Sequence, residues 1–169
     1  VRETMSWYWL PLLSELPSFD PALIWGTDEL GIGVQLAELP ALYDFNAFSS
    51  IERLSGAEIH DTNLTSLDFL SNVTEIGSLA IYEDESFVSL EALAGATIDE
   101  LTLETPGVAQ LPSFSQIEQM TRLRLVGLAV TDLSAFSSLV NVTESLTLEH
   151  FPNLGAPTFP ALESSGTYN

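Results

Sequence analysis

The side chains able to do chemistry in this chain are few in kind: two histidines, no cysteine, and a large excess of carboxylates. His60 and His150 each stand alone, with no H-x-x-x-H or comparable spacing to supply a second ligand, so neither is expected to hold a metal or act as a general base. Serine is abundant, yet no G-x-S-x-G elbow occurs. Gly31-Ile32-Gly33 lacks the rest of a phosphate-binding fingerprint and fits a turn entering a strand. Without cysteine there are no disulfides, no thiolate zinc sites and no thiol catalysis. The densest acidic cluster is Glu83-Asp84-Glu85. Its oxygens suit a hard cation, but the D-x-[DN]-x-[DN]-G order that wraps a loop around calcium is missing. Weak calcium association there is the only ion binding the sequence suggests, beside the plainer reading of a solvated turn. No catalytic residue and no cofactor are expected.

Charge narrows the partners. Lysine is absent, arginine occurs only at Arg2, Arg53, Arg122 and Arg124, and 24 acidic residues leave a net charge of −20 at pH 7. Such a surface repels phosphate backbones and anionic membranes, whose binding needs cations. No apolar run approaches the roughly 18 residues of a membrane span, and Trp7 to Leu13 is short and broken by Pro11. The chain opens on Val1 instead of methionine, which reads as a mature or excised segment.

These side chains must be carried by a repeated scaffold. Ile76, Ile98, Met120 and Val142 stand 22 residues apart, and each is followed by an aliphatic pair in L-x-L spacing: Leu79/Ile81, Leu101/Leu103, Leu123/Leu125 and Leu146/Leu148. A fixed period of this size marks a solenoid, in which each turn buries its apolar face only against its neighbours. The alternating pairs predict short strands with one buried face. Between strands the apolar residues recur at every third position, as in Leu67, Leu70 and Val73 or Leu133, Phe136 and Leu139. That period suits 3₁₀ turns or extended arcs better than an α-helix. Upstream, Ala57/Ile59 and Val34/Leu36 continue the pattern, with Leu39, Leu42, Phe45, Phe48 and Ile51 behind them. Further back, Leu16-Pro17-Ser18-Phe19 echoes Leu111-Pro112-Ser113-Phe114, which would make Trp7 and Trp9 the inward pair of an earlier strand. The alternative is an apolar N-terminal cap.

Asn63-Leu64-Thr65-Ser66-Leu67, the run from Ser71 to Leu79 and the run from Asn141 to Leu148 resemble the leucine-rich-repeat family, in the variety found in receptor L-type domains and in bacterial and fungal cell-surface proteins. The resemblance covers roughly residues 34–162. It lacks most of the asparagine ladder and all of the disulfide caps of eukaryotic examples. It implies a mainly β, right-handed solenoid with one parallel sheet of about six or seven short strands and a mostly non-helical convex side. The expected organisation is a cap or degenerate first repeat at 1–33, the solenoid at 34–162 and a tail at 163–169.

On that sheet the residues beside the buried pairs face outward. Glu58, His60, Tyr82, Glu100, Thr102, Glu104, Arg122, Arg124, Thr147 and Glu149 form the candidate binding face. Strands about 4.8 Å apart would set Arg122 beside Glu100 and Arg124 near Glu104, either as an internal charge ladder or as a binding patch anchored by Tyr82. Three N-x-T sequons, at Asn63, Asn72 and Asn141, are candidate glycan sites on exposed turns if the chain follows a secretory route. The function expected is a non-enzymatic extracellular or cell-surface module that binds protein or glycan. A structural subunit of a surface layer, wall or filament, partnered by its own copies, is the alternative.

Overall fold

The computed structural model describes residues 4–8, 32–41, 48, 50–156 and 158–168. Eight strands lie in chain order in one sheet, each parallel to the next. They are β1 (Thr4–Tyr8), β2 (Ile32–Leu39), β3 (Arg53–Thr62), β4 (Glu75–Tyr82), β5 (Thr97–Glu104), β6 (Gln119–Val126), β7 (Asn141–Glu149) and β8 (Ser164–Tyr168). Among the described residues there is no α-helix, only 3₁₀ turns such as Asp68–Leu70, Glu91–Leu93 and Ser134–Phe136. The fold is a mainly β solenoid.

The repeat period sets the register. Leu79, Leu101, Leu123 and Leu146 pair in sequence across β4 to β7, and so do Ile81, Leu103, Leu125 and Leu148. Each column is therefore a continuous apolar stack, with Leu101, Leu103, Leu123 and Leu125 all 0% exposed. The third column, Leu54, Ile76, Ile98, Met120 and Val142, is buried as well.

The return arcs explain the period of three. Leu64, Leu67, Leu70 and Val73 are buried, as are Phe87, Leu90, Leu93 and Ala96, and Val130, Leu133, Phe136 and Leu139. Within each arc the amide of one buried residue donates to the carbonyl of the buried residue before it: Leu70 to Leu67 at 2.8 Å, Ala96 to Leu93 at 3.0 Å, Leu139 to Phe136 at 3.0 Å. One spacing thus hides the side chains and satisfies the backbone groups that burial would otherwise orphan. Phe114 stacks on Phe136 at 5.3 Å, and Phe136 lies 6.2 Å from Phe159, giving the arcs an aromatic spine.

Units of 23 residues are absorbed as register shifts inside strands. β7 carries one extra residue between Val142, opposite Met120, and Ser145, opposite Arg122. A bulge of this kind re-aims a side chain without disturbing the buried columns on either side.

Strand exits share a device. Glu38, Asp61, Glu83, Gly127 and His150 have positive φ, between 50° and 71°, at intervals that follow the repeat. A left-handed residue breaks the in-out alternation, so Glu83 is exposed and Asp84 turns inward. At the corresponding place after β5 stands Thr105, whose β-branch resists that conformation; it is buried instead.

Two expectations change at the ends. The sheet continues into the expected tail, because β8 falls within residues 163–169. β1 falls within residues 1–33, and its register sets Met5 and Trp7, not Trp7 and Trp9, across from Val34 and Leu36. Trp9 and the Leu16 to Phe19 echo, like Leu42 and Phe45, lie outside the described residues.

Candidate binding face on the parallel sheet

The outward residues are tied to one another across the strands. In the first half of the sheet, Ser6 donates to Gln35 Oε1 at 3.3 Å, Gln35 Nε2 donates to Glu58 at 2.7 Å, and the Tyr82 hydroxyl donates to the other Glu58 oxygen. His60 stacks on Tyr82, ring centroids 4.8 Å apart and planes within 10°. Its Nδ1 lies 3.2 Å from Asp61 Oδ2.

The second half is built on arginine. Arg122 meets Glu100 at 3.2 Å and also Glu144, while Arg124 meets Glu104 at 2.8 Å and Glu149 at 3.5 Å. The Glu144 hydrogen bond, then the charges of Glu100 and Glu144, hold the Arg122 pKa above its ordinary value. Glu104 does the same for Arg124, with Glu149 adding to it. Thr102 pairs in register with Arg124 and Arg124 with Thr147, which is buried.

All ten expected face residues therefore lie on this sheet, and both expected arginine pairs are formed. Sequence reasoning missed Glu144, which the β7 bulge aims at Arg122. It also missed Gln35 as the link from β1 to β3, and Glu58 as the acceptor that holds the Tyr82 hydroxyl. The interval of 23 residues into Leu146 announces an extra residue, but not which side chain it redirects.

Two expectations about sites are corrected. Glu83, Asp84 and Glu85 do not converge: Asp84 is 1% exposed with one oxygen on Thr62, while its two neighbours face solvent. The one group of possible metal ligands among the described residues is His60, Asp61 and Glu83, with one ligand atom each within 4.8 Å of the others. Both of its carboxylates are exposed, and the imidazole already meets Asp61. The sequons also differ from one another. Asn63 and Asn72 are exposed in turns, the former donating to Pro40 O at 2.6 Å, whereas Asn141 opens β7, half-buried, and accepts from Ser164 Oγ at 2.6 Å.

On the opposite, turn-bearing side an open groove of about 580 Å³ runs past Val88, Gly107, Gln110, Leu111, Thr131 and Asp132. Val88 is half-exposed. Asp132 is occupied at the groove wall: it accepts from the Ser134 amide at 2.9 Å and from its hydroxyl, which lowers its pKa.

Each described arginine is ion-paired, Arg53 with Glu75 at 2.8 Å, which leaves most of the described carboxylates without an arginine partner. Self-repulsion at a charge of −20 should therefore be relieved as the Debye length falls from about 30 Å at 0.01 M salt to about 3 Å at 1 M. Screening weakens the arginine pairs too, but solvated pairs contribute little. The melting temperature is expected to rise across that range of sodium chloride. A flat or falling profile would mean that the carboxylates are already compensated by bound cations or partner chains.

No protein-family model, no curated protein and no solved structure matches the chain.

Proposed function

We propose that this solenoid is a non-enzymatic binding module of leucine-rich-repeat type that works outside the cell or at its surface and takes a protein or glycan ligand on its strand face. The observation that carries the reading is the lateral ladder from Ser6 to Tyr82 and from Glu100 to Glu149. Side chains already held by their neighbours lose little further freedom on binding, so the face is preorganised for a ligand with repeated polar groups. The stacked His60–Tyr82 pair adds a flat aromatic step beside carboxylates, which suits sugar hydroxyls or polar protein side chains. Exposed sequons at Asn63 and Asn72 agree with a secretory route.

A structural subunit is the second reading, and β8 favours it. Ser164, Gly166 and Thr167 are exposed on β8, and an exposed strand is a template for pairing with a further turn or with another chain.

One experiment addresses both. Light scattering behind size exclusion, over a wide range of protein concentrations, is expected to give a constant monomer mass. The same material is then applied to immobilised cell-wall polysaccharides and to extracellular protein fractions, beside an Arg122→Glu/Arg124→Glu variant. Binding by the parent that the variant loses supports the module. A mass that grows with concentration supports the subunit, and equal binding by both proteins removes the strand face as the site.

A further inference from the structure

The exits of β2, β3 and β4 set three carboxylates in a row. Ala37 pairs with His60 and His60 with Tyr82, and the residue after each, Glu38, Asp61 and Glu83, takes a positive φ of 50° to 55° and is exposed. Like charges on neighbouring strands repel. Lysine is absent from the chain, and the described arginines are held by Glu75, Glu100, Glu104, Glu144 and Glu149, so none of them offsets this row. Water alone can solvate an acidic edge, and the row by itself marks no site.

The imidazole of His60 changes its chemistry by bringing a nitrogen donor to the middle of the row. The ring is only 18% exposed and is stacked on Tyr82, whose hydroxyl is bonded to Glu58, so its orientation is set by neighbours that are themselves held. In a regular strand His60 and Asp61 would point to opposite faces. The left-handed backbone of Asp61 removes that alternation, and His60 Nδ1 stands 3.2 Å from Asp61 Oδ2. Glu83 arrives from the next turn and completes a set of three donors, one atom from each residue, all within 4.8 Å of one another. Bonds of about 2.0 to 2.2 Å to a tetrahedral zinc ion hold their donors about 3.3 to 3.5 Å apart. His60 and Asp61 already stand close to that separation, and the exposed Glu83 side chain is free to close the remainder. Spacing along the sequence hides the set, because Glu83 reaches His60 across the sheet from 23 residues away.

We propose that the exits of β3 and β4 form a divalent transition-metal site, with zinc as the ion the donors fit, held by the His60 imidazole and the carboxylates of Asp61 and Glu83. One nitrogen and two carboxylates suit zinc, which takes three protein ligands and leaves a position for water; calcium asks for six to eight oxygens. The ion bridges two successive turns of the solenoid and offsets the repulsion between Asp61 and Glu83. Its binding is independent of what the strand face takes as a ligand.

A chain of net charge −20 also gathers cations diffusely, so the test must separate a site from an atmosphere. Zinc chloride is titrated at pH 7.5 into the full chain freed of metal by a chelator, followed by calorimetry and by nitrogen NMR of the histidine rings. One saturable equivalent is expected, with a ring nitrogen of His60 shifting as it fills while the exposed His150 stays unchanged. Calcium chloride should give only the diffuse phase. Glu83→Gln is expected to weaken the saturable phase by at least about tenfold, since changes even to residues behind a metal's ligands cost that much. Glu85→Gln, the same change of charge at an exposed neighbour, should leave it intact. The ring nitrogens of the parent decide the matter even if Glu83→Gln does not fold. Zinc binding without a saturable equivalent, an unshifted His60 at one equivalent, equal loss in the two variants, or calcium filling the same site as tightly as zinc would each overturn the site.

Discussion

Leu103→Ala is expected to destabilise the solenoid by about 2 to 5 kcal/mol, whereas Thr102→Ala, one residue away, should stay within about 1 kcal/mol. Leu103 is 0% exposed and stands in register between Ile81 and Leu125, so its side chain fills the space between two successive turns. Truncation removes the transfer energy of the lost atoms and leaves a cavity whose walls, Ile81 and Leu125, are pinned by parallel ladders on both sides and cannot close on it. Thr102 is half-exposed on the opposite face. Urea melts of the two variants measure the difference directly. If Thr102→Ala proved the more damaging, the phase of the strand would be off by one residue and every outward side chain described above would face the core.

That phase was legible in the sequence because two independent rhythms agree on it. The alternation within each strand fixes which face is buried, and the 22-residue interval stacks the same choice from Leu79 to Leu123 without a break. The arcs were legible for a related reason, since apolar residues recur at every third position and the later ones of each arc, such as Leu70, Leu93 and Phe136, are bonded to the one before. Where the rhythm is broken by one backbone residue, the reading failed. Alternation from Ile81 would turn Glu83 inward and leave Asp84 outside; the positive φ of Glu83 reverses this, and nothing in Glu-Asp-Glu distinguishes the residue that turns. A signal did exist in the columns, because Asp84 follows Thr62 by 22 residues and Thr62 is in register with buried Leu39. An acid on an inward column is an anomaly that the repeat frame could have exposed. The β7 bulge left no such trace, since Thr143 and Glu144 are equally plausible as the added residue until the ladder on both sides is seen.

Glycine substitution offers the sharper test of how closely neighbouring strands approach. Gly77→Ala is expected to cost about 3 kcal/mol, at the upper end of what overpacking usually does. A Cβ on Gly77 would overlap the Ser55 carbonyl oxygen of the adjacent strand, and that oxygen is backbone, so relief requires β3 and β4 to move apart. Such a movement is opposed by the pairs on either side of the contact, Leu54 with Ile76 and Ala57 with Leu79, whose side chains are buried. On Gly56 an added Cβ meets the Ser78 hydroxyl at 2.8 Å, which a side-chain rotation removes, and the Ser78 carbonyl oxygen at 3.6 Å, an ordinary contact, so the cost of Gly56→Ala should be smaller. At Gly95 an added Cβ meets nothing within 4 Å and φ is not positive, so alanine there should be neutral or stabilise by up to about 1 kcal/mol through the unfolded state. Chemical melts of the three variants should rank them Gly95, Gly56, Gly77 in increasing damage. Equal effects at Gly77 and Gly95 would mean that β3 and β4 are not held at the distance their register requires, and the cross-strand ladder from Glu58 to Tyr82 would lose its geometric basis with them.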